Sequence, residues 1–259
     1  MSDHPDYQEK KSFFDRVLTV YGRKAALETL QDKTLVCHAL HLAHSNREAG
    51  IVAEIRQQAQ SLGVPIKEHT REALARISKN GKQDQGVAVD VLCPSFRSLE
   101  NYLAEPPVQP CLRLLALDGI NNPQNLGMII RSAAAGNIDG IILARKGTAA
   151  LGPLVIKASV GTLYRAPLLF CASLLDALDR CRKYGAELCT LEANAGLSLF
   201  DHRPEGHCVY ILGNETDGVR AEVRALADTP LSIPMRNGVE SLNVAVTASL
   251  IAYGNYFER

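Results

Sequence analysis

From residue 112 onward, short apolar runs with almost no charge alternate with stretches of helical periodicity, and few folds accommodate that pattern. The runs are LRLLALDGI, GIILA, APLLF, AELCTLEA, HCVYILG and LSIPM, separated by helical patterns at 126–136, 152–165, 173–184, 219–227 and 241–258. A strand that is apolar on both faces needs cover on both faces, and intervening helices supply it, so the expected fold is α/β with a parallel sheet. A shorter alternation precedes it: VLTVYG, RKAALETLQ, TLVCHALHLA, REAGIVAEIRQQAQSLG, PIKEH, TREALARISKN and GVAVDVL. This reads as a smaller N-terminal α/β domain. Pro94, Pro106, Pro107 and Pro110 fall between the two alternations beside the polar Arg97, Ser98, Glu100 and Asn101, and this segment reads as a linker. The expected organisation is a mobile segment 1–16, a domain 17–93, a linker 94–110 and a larger domain 111–259.

Of the 259 residues 46% are apolar and 22% charged, which excludes a disordered or fibrous chain. Lysine plus arginine (28) equals aspartate plus glutamate (28), so a polyanionic partner must be gripped by a local patch. Arg71, Arg76, Lys79 and Lys82, opposed only by Glu72, form one such patch; a solvated helix end is the alternative reading. Seven cysteines, none spaced as CxxC, argue against a disulfide framework or a zinc ribbon and fit a reducing cytoplasm. His38, His41 and His44 suggest a metal by spacing, but strand alternation sends neighbouring side chains to opposite faces, so no metal is expected. The N-terminus lacks the apolar segment of a signal peptide, and the longest uncharged stretch, 241–257, is too short and polar to span a bilayer. No membrane partner is expected.

No two glycines stand two residues apart, so the Gly-x-Gly turn of Rossmann-type nucleotide sites is missing. P-loop, HExxH and GxSxG signatures are missing as well. Three polar clusters instead fall where buried strands meet helices, the place where open α/β sheets bind ligands. The first runs from Asp118 to Arg131; Arg131 sits in an apolar helical run beside Gly127, Ala134 and Ala135, which leave room for a phosphate or partner. An arginine tied to a carboxylate or reaching for water is the alternative. The second, Gly213-Asn214-Glu215-Thr216-Asp217-Gly218, reads as an open turn or an ordinary strand-to-helix connection. In the third, Ile233 to Asn243, Ser241 is placed to cap the last helix, with Asn243 in its first turn.

Together the three resemble the signature motifs of the SpoU (TrmH) family of RNA ribose 2′-O-methyltransferases, within the SPOUT class. NPQNLGMIIRSAAAGN is similar to the first motif, with Asn125 and Arg131 at its polar positions; GNETDG to the second, with Glu215; and LSIPMRNGVESLNVAVTASLIAY to the third, with Ser241, Leu242 and Asn243. The match covers 112–258, and 18–91 resembles, more weakly, the substrate-binding domain of longer, ribosomal-RNA-type members. The resemblance implies a trefoil-knotted C-terminal domain, an exception to the rule against threaded chains. It implies S-adenosylmethionine held by backbone groups at Gly213, Ile233, Leu242 and Leu191, with Arg131, Asn125, Glu215, Ser241 and Asn243 as catalytic positions. It also implies RNA as partner, ribosomal in preference to transfer RNA, and a homodimer through the C-terminal helix, whose Val244, Val246, Ala248, Ile251 and Ala252 suit such packing. A guanidinium does not readily deprotonate, so Arg131 is read as a clamp on phosphate and a stabiliser of alkoxide charge, and proton removal falls to phosphate or water. Asn125 and Asn243 would orient the ribose and the arginine, and Glu215 would fix the motif-two loop or Arg131. A non-catalytic RNA-binding or ribosome-assembly factor on the same scaffold is the rival reading.

Overall fold

The computed structural model describes residues 13–106 and 111–254. Most of the expected mobile segment 1–16, and the end of the expected linker, lie outside the described residues. The chain divides into two compact units, residues through Pro94 with Leu151–Leu154, and Ser95–Ala150 with Val155 onward.

The first unit contains β1 (Val17–Tyr21), α1 (Arg23–Gln31), β2 (Val36–Ala43), α2 (Ile51–Ser61), β3 (Ile66–His69), α3 (Arg71–Ser78) and β4 (Val87–Leu92). Its four strands lie in the order β1-β4-β2-β3, antiparallel except for the β2–β3 pair. Thr70 caps α3 by accepting from the Ala73 amide, and Lys79 ends it in a left-handed conformation. A polar chain crosses the sheet: Thr19 Oγ1 donates to Asp90 at 2.7 Å, His41 Nε2 meets the other Asp90 oxygen at 3.0 Å, and His41 Nδ1 meets His69 at 3.0 Å. The HxxHxxH run is thus dispersed: His44 faces Glu68 at 3.4 Å and the His38 ring packs 4.8 Å from that of Phe13.

The second unit opens with β5 (Arg97–Ser98) and α4 (Leu99–Ala104), inside the segment expected to be a linker. Phe96, Leu99 and Tyr102 are buried, and Ser98 caps α4, so a helical apolar face is hidden among the charges. There follow β6 (Arg113–Asp118), α5 (Pro123–Ala135), β7 (Gly140–Ala144), α6 (Pro153–Ala158), β8 (Leu168–Cys171), α7 (Leu174–Lys183), β9 (Glu187–Leu191), β10 (Leu197–Ser198), β11 (Cys208–Gly213), α8 (Ala221–Arg224), β12 (Thr229–Ser232) and α9 (Val244–Tyr253). The helical pattern expected at 152–165 breaks into α6 and a 3-10 turn, because Val160 and Gly161 take positive φ. All eight strands pair in parallel, in the order β10-β12-β9-β11-β6-β7-β8-β5. On one face Leu114, Ala116, Ile142, Leu169, Leu188 and Ile211 pack with α4, α7 and α8. That explains strands without polar alternation: each β6 side chain is buried, and burying an aliphatic side chain contributes about 1.5–3 kcal/mol.

From β6 the chain steps outward through β7 and β8, and the later strands β9 to β12 all lie on its other side with β11 next to it, so the direction of winding changes between β6 and β11. Side by side at that reversal, Gly213 stands in register with Asp118 at the strands' carboxyl ends. Among the described residues no helix is long and apolar enough to cross a membrane.

Candidate active site

The loop leaving β11 is tied down on both sides. Buried Asp118 accepts from the Arg220 amide at 2.9 Å and from its Nε at 2.7 Å, and Asn214 Oδ1 accepts from the Thr216 and Asp217 amides at 2.9 and 2.8 Å. A Cβ on Gly213 would lie 2.0 Å from the Gly218 carbonyl carbon, so only glycine lets the turn close. Asp118 and Arg220 were not singled out from the sequence as a pair, since the two are brought together only by β6–β11 pairing.

Beside this loop lies a cavity of about 230 Å³ at the carboxyl ends of β9 and β11. Leu191, Gly213, Ile233 and Leu242 line it, as do Glu215 and Ser241, and Glu192 and Glu240 add carboxylates. The apolar Leu191, Leu212, Ile233, Leu242 and Val244 suit a flat heterocycle, and the acids suit a cationic ligand. Glu192 is held by Thr190 Oγ1 at 3.1 Å and by Arg224 at 3.5 Å. A carboxylate just past an apolar strand was the sequence signal for it.

A polar chain joins the motifs. Asn125, buried on the first turn of α5, donates its amide to Glu215, and its carbonyl accepts from Asn243 Nδ2 at 3.2 Å. Asn243 Oδ1 in turn accepts from the Ala245 amide at 2.9 Å, so Asn243 and not Ser241 caps α9, which starts three residues later than the pattern at 241–258 suggested. Likewise α5 starts at Pro123 because Asn122 caps it.

Arg131 stands apart from this chain. Six residues beyond Asn125 it points to another side of α5, exposed, with no hydrogen bond or ion pair to a described residue, and it does not line the cavity. Glu215 therefore engages Asn125 and not Arg131. The room expected beside Gly127 is filled, since a Cβ there would lie 2.5 Å from Ala158 Cβ. The apolar face assigned to α9 is corrected similarly: Val244, Ala248, Ile251 and Ala252 are buried within the chain, and Val246 alone of the five is exposed. That helix packs against α5 and β11, and Val246 of α9 and Met128 of α5 are exposed.

In the first unit Arg71 joins Arg23 and Lys24 along an open depression, whereas Arg76, Lys79 and Lys82 are exposed outside it. Arg23 is fixed there by Asn46 at 3.1 Å and the Gln85 carbonyl at 3.2 Å, and Arg71 faces Asp84 at 3.5 Å. Burial raises the thiols of Cys37 and Cys171 to about 11 and those of Cys93 and Cys181 to about 12, so none of these four is a thiolate nucleophile at neutral pH.

Sheet and cavity together define a parallel α/β protein with a ligand-sized cavity at the carboxyl ends of β9 and β11, next to the point where its strand order changes direction. The sequence profile of the SpoU rRNA Methylase family matches residues 113–253, and that described as RNA 2′-O ribose methyltransferase substrate binding matches 19–92. The chain is 32% identical over 234 residues to an uncharacterised tRNA/rRNA methyltransferase of Mycolicibacterium vanbaalenii, covering 90% of this chain and 74% of the relative. An AdoMet-bound rRNA methyltransferase of Sinorhizobium meliloti superposes with a TM-score of 0.61 at 17% identity, over 99% of this chain and 92% of that one. A protein whose structure addresses 2-OH methylation of C/U34 on tRNA is 29% identical with a TM-score of 0.51, over 57% of this chain and 96% of that one. The chain belongs to the SpoU family of RNA methyltransferases.

Proposed function

We propose that the chain transfers a methyl group from S-adenosylmethionine to a ribose 2′-hydroxyl of RNA. The observation that carries this reading is the convergence of three separate segments on one cavity: Gly213, Ile233 and Leu242, with Leu191, line it, and the Glu215–Asn125–Asn243 chain borders it. The fit is chemical: apolar walls for the purine, backbone amides and carbonyls at Gly213 for its edge, and carboxylates for the positive charges. S-adenosylmethionine supplies the electrophilic methyl; the chain's residues bind, orient and stabilise.

Asn125 and Asn243, each engaged through one side-chain atom by the other, form a preorganised polar edge that orients the ribose. Glu215 holds Asn125 and so locks the loop to α5. Ser241 lies at the cavity beside the reacting groups. Arg131 clamps an RNA phosphate and stabilises charge developing on the 2′-oxygen, while phosphate or water accepts the proton. Its exposure outside the cavity supports a site completed across a homodimer, formed through α5 and α9, which expose Met128 and Val246. A trefoil knot in the C-terminal domain accompanies this reading. The depression at Arg23, Lys24 and Arg71, with Arg76, Lys79 and Lys82 nearby in sequence, is assigned to the RNA backbone. Ribosomal RNA is preferred to transfer RNA for the two-domain layout, a substrate-binding domain at 19–92 ahead of the methylase domain at 113–253, and the cytoplasm is the proposed setting.

Arg131→Ala tests the central role. The variant is expected to bind S-adenosylmethionine as the parent does by calorimetry and to lose methyl transfer by about 10²–10³-fold. A normal transfer rate in a folded variant overturns the assignment.

A further inference from the structure

Outside the cavity, the opposite ends of β9 and β11 gather four ligating groups from three segments. In the parallel register Cys208 stands opposite Glu187 and Tyr210 opposite Cys189, so Glu187, Cys189 and Cys208 share one face of the sheet. His202, from the connection between β10 and β11, folds onto that face. Cys189 Sγ lies 3.6 Å from Cys208 Sγ and 3.8 Å from His202 Nε2, and that nitrogen lies 3.1 Å from Glu187 Oε2. Cys189, His202 and Cys208 are all buried, with their ligand atoms within 4.8 Å of one another.

We propose that Cys189, Cys208 and His202 hold a structural zinc ion, with Glu187 turning from His202 and Thr229 to close the site as the fourth ligand. Tetrahedral zinc with Zn–S of ~2.3 Å and Zn–N of ~2.0 Å puts its sulfurs ~3.8 Å apart and sulfur and nitrogen ~3.5 Å apart. The observed 3.6 and 3.8 Å are close to those edges. Two thiolates and an imidazole select a soft or borderline cation over calcium or magnesium. The other ring nitrogen of His202 faces the Tyr210 hydroxyl at 3.4 Å, the outer hydrogen bond that fixes a ligating imidazole.

Two further observations favour the ion. A direct Cys189–Cys208 disulfide does not fit the register: a two-residue offset on strands ~4.8 Å apart separates the Cα atoms by ~8 Å, beyond the ~7 Å a disulfide spans. Zinc with two thiolates and one carboxylate also carries a net negative charge, and a buried cation stands beside it. Arg113, in register with Cys208 on β6, lies over the Tyr210 ring at 5.5 Å, with Nε and Nη1 unpartnered among the described residues. With every position supplied by protein, the ion is structural: it pins β9 to β11, whose far ends carry Leu191 and Gly213 of the cavity.

The test is metal analysis and cobalt spectroscopy on the full-length protein. After exposure to Zn²⁺ and desalting, one zinc per chain is expected, and Co²⁺ is expected to give thiolate charge-transfer and tetrahedral ligand-field bands. These bands are expected to vanish in Cys189→Ser and His202→Ala and to persist in Cys181→Ser, a buried cysteine outside the cluster. Chelation is expected to lower the thermal midpoint of the parent. No stoichiometric zinc in the parent protein, cobalt bands that survive Cys189→Ser, or a Cys189–Cys208 disulfide formed under mild oxidation would each overturn the proposal.

Discussion

The two units bury polar groups in opposite ways. In the N-terminal sheet Thr19, Asp90, His41 and His69 satisfy one another between strands. In the C-terminal sheet the middle of β6, Leu114 to Leu117, is apolar, and polar groups sit toward the strand ends: Arg113, Glu187 and His202 toward the amino ends, and Asp118, Gly213 with its loop, and Glu192 at the carboxyl ends that face the cavity. A network closed on itself fixes register and stability. Polar groups delivered to the carboxyl edge of a parallel sheet retain capacity for a ligand, which is why the cavity lies in the second unit.

That contrast can be broken experimentally, first at the cavity. Gly213→Ala places a Cβ against the Gly218 and Val219 backbone and is expected to weaken S-adenosylmethionine binding roughly 100-fold, about 2.7 kcal/mol, by calorimetry. The same change at Gly63, which has open space around it but a positive φ, is expected to alter stability modestly and binding not at all.

Asp118→Asn comes next. It removes the buried charge that receives Arg220, and chemical denaturation is expected to show a loss of about 1–3 kcal/mol together with weakened cofactor binding. A loss of stability without any effect on binding would separate the loop anchor from the cavity.

The smallest effect belongs to the N-terminal network and to pH. Burial alone would raise Asp90, but hydrogen bonds from His41 and Thr19 outweigh it and hold the carboxyl below its ordinary value. His69 is lowered by burial and by the neighbouring His41. In both cases the folded pKa is depressed, so the stabilisation is present above the unfolded value and is lost as pH falls through the folded one. For His69 the loss begins below about 6.5, and for Asp90 below about 4. Hydrogen exchange followed by unit is expected to show the N-terminal strands losing protection on acidification, and Asp90→Asn is expected to flatten the acid limb. Equal pH sensitivity in Thr19→Ala, Asp90→Asn and the parent would contradict this reading.

Periodicity made the strands and helices legible, because a doubly covered parallel sheet writes itself as apolar runs. Four things were not legible. Residues 95–104 resemble a linker by their flanking prolines and charges, and only tertiary contact reveals that Phe96, Leu99 and Tyr102 share an apolar face. Which of Ser241 and Asn243 caps α9 depends on backbone geometry, since both side chains are competent caps. The Glu187–Cys189–His202–Cys208 cluster has no local spacing at all: strand register assembles it, so a search for CxxC passes over it. The cavity residues were legible through their resemblance to known motifs, whereas the separation of Arg131 from the cavity was not, because six residues of helix turn it to another face.

The most direct test of the central claim is transfer of labelled methyl from S-adenosylmethionine to total RNA of a strain lacking this protein, followed by mass spectrometry of the nucleosides. The account predicts label on a 2′-O-methylnucleoside within one RNA size class, ribosomal in preference to transfer RNA. Label on a base, or none from protein that binds the cofactor in the presence of both free RNA and precursor particles, would contradict it.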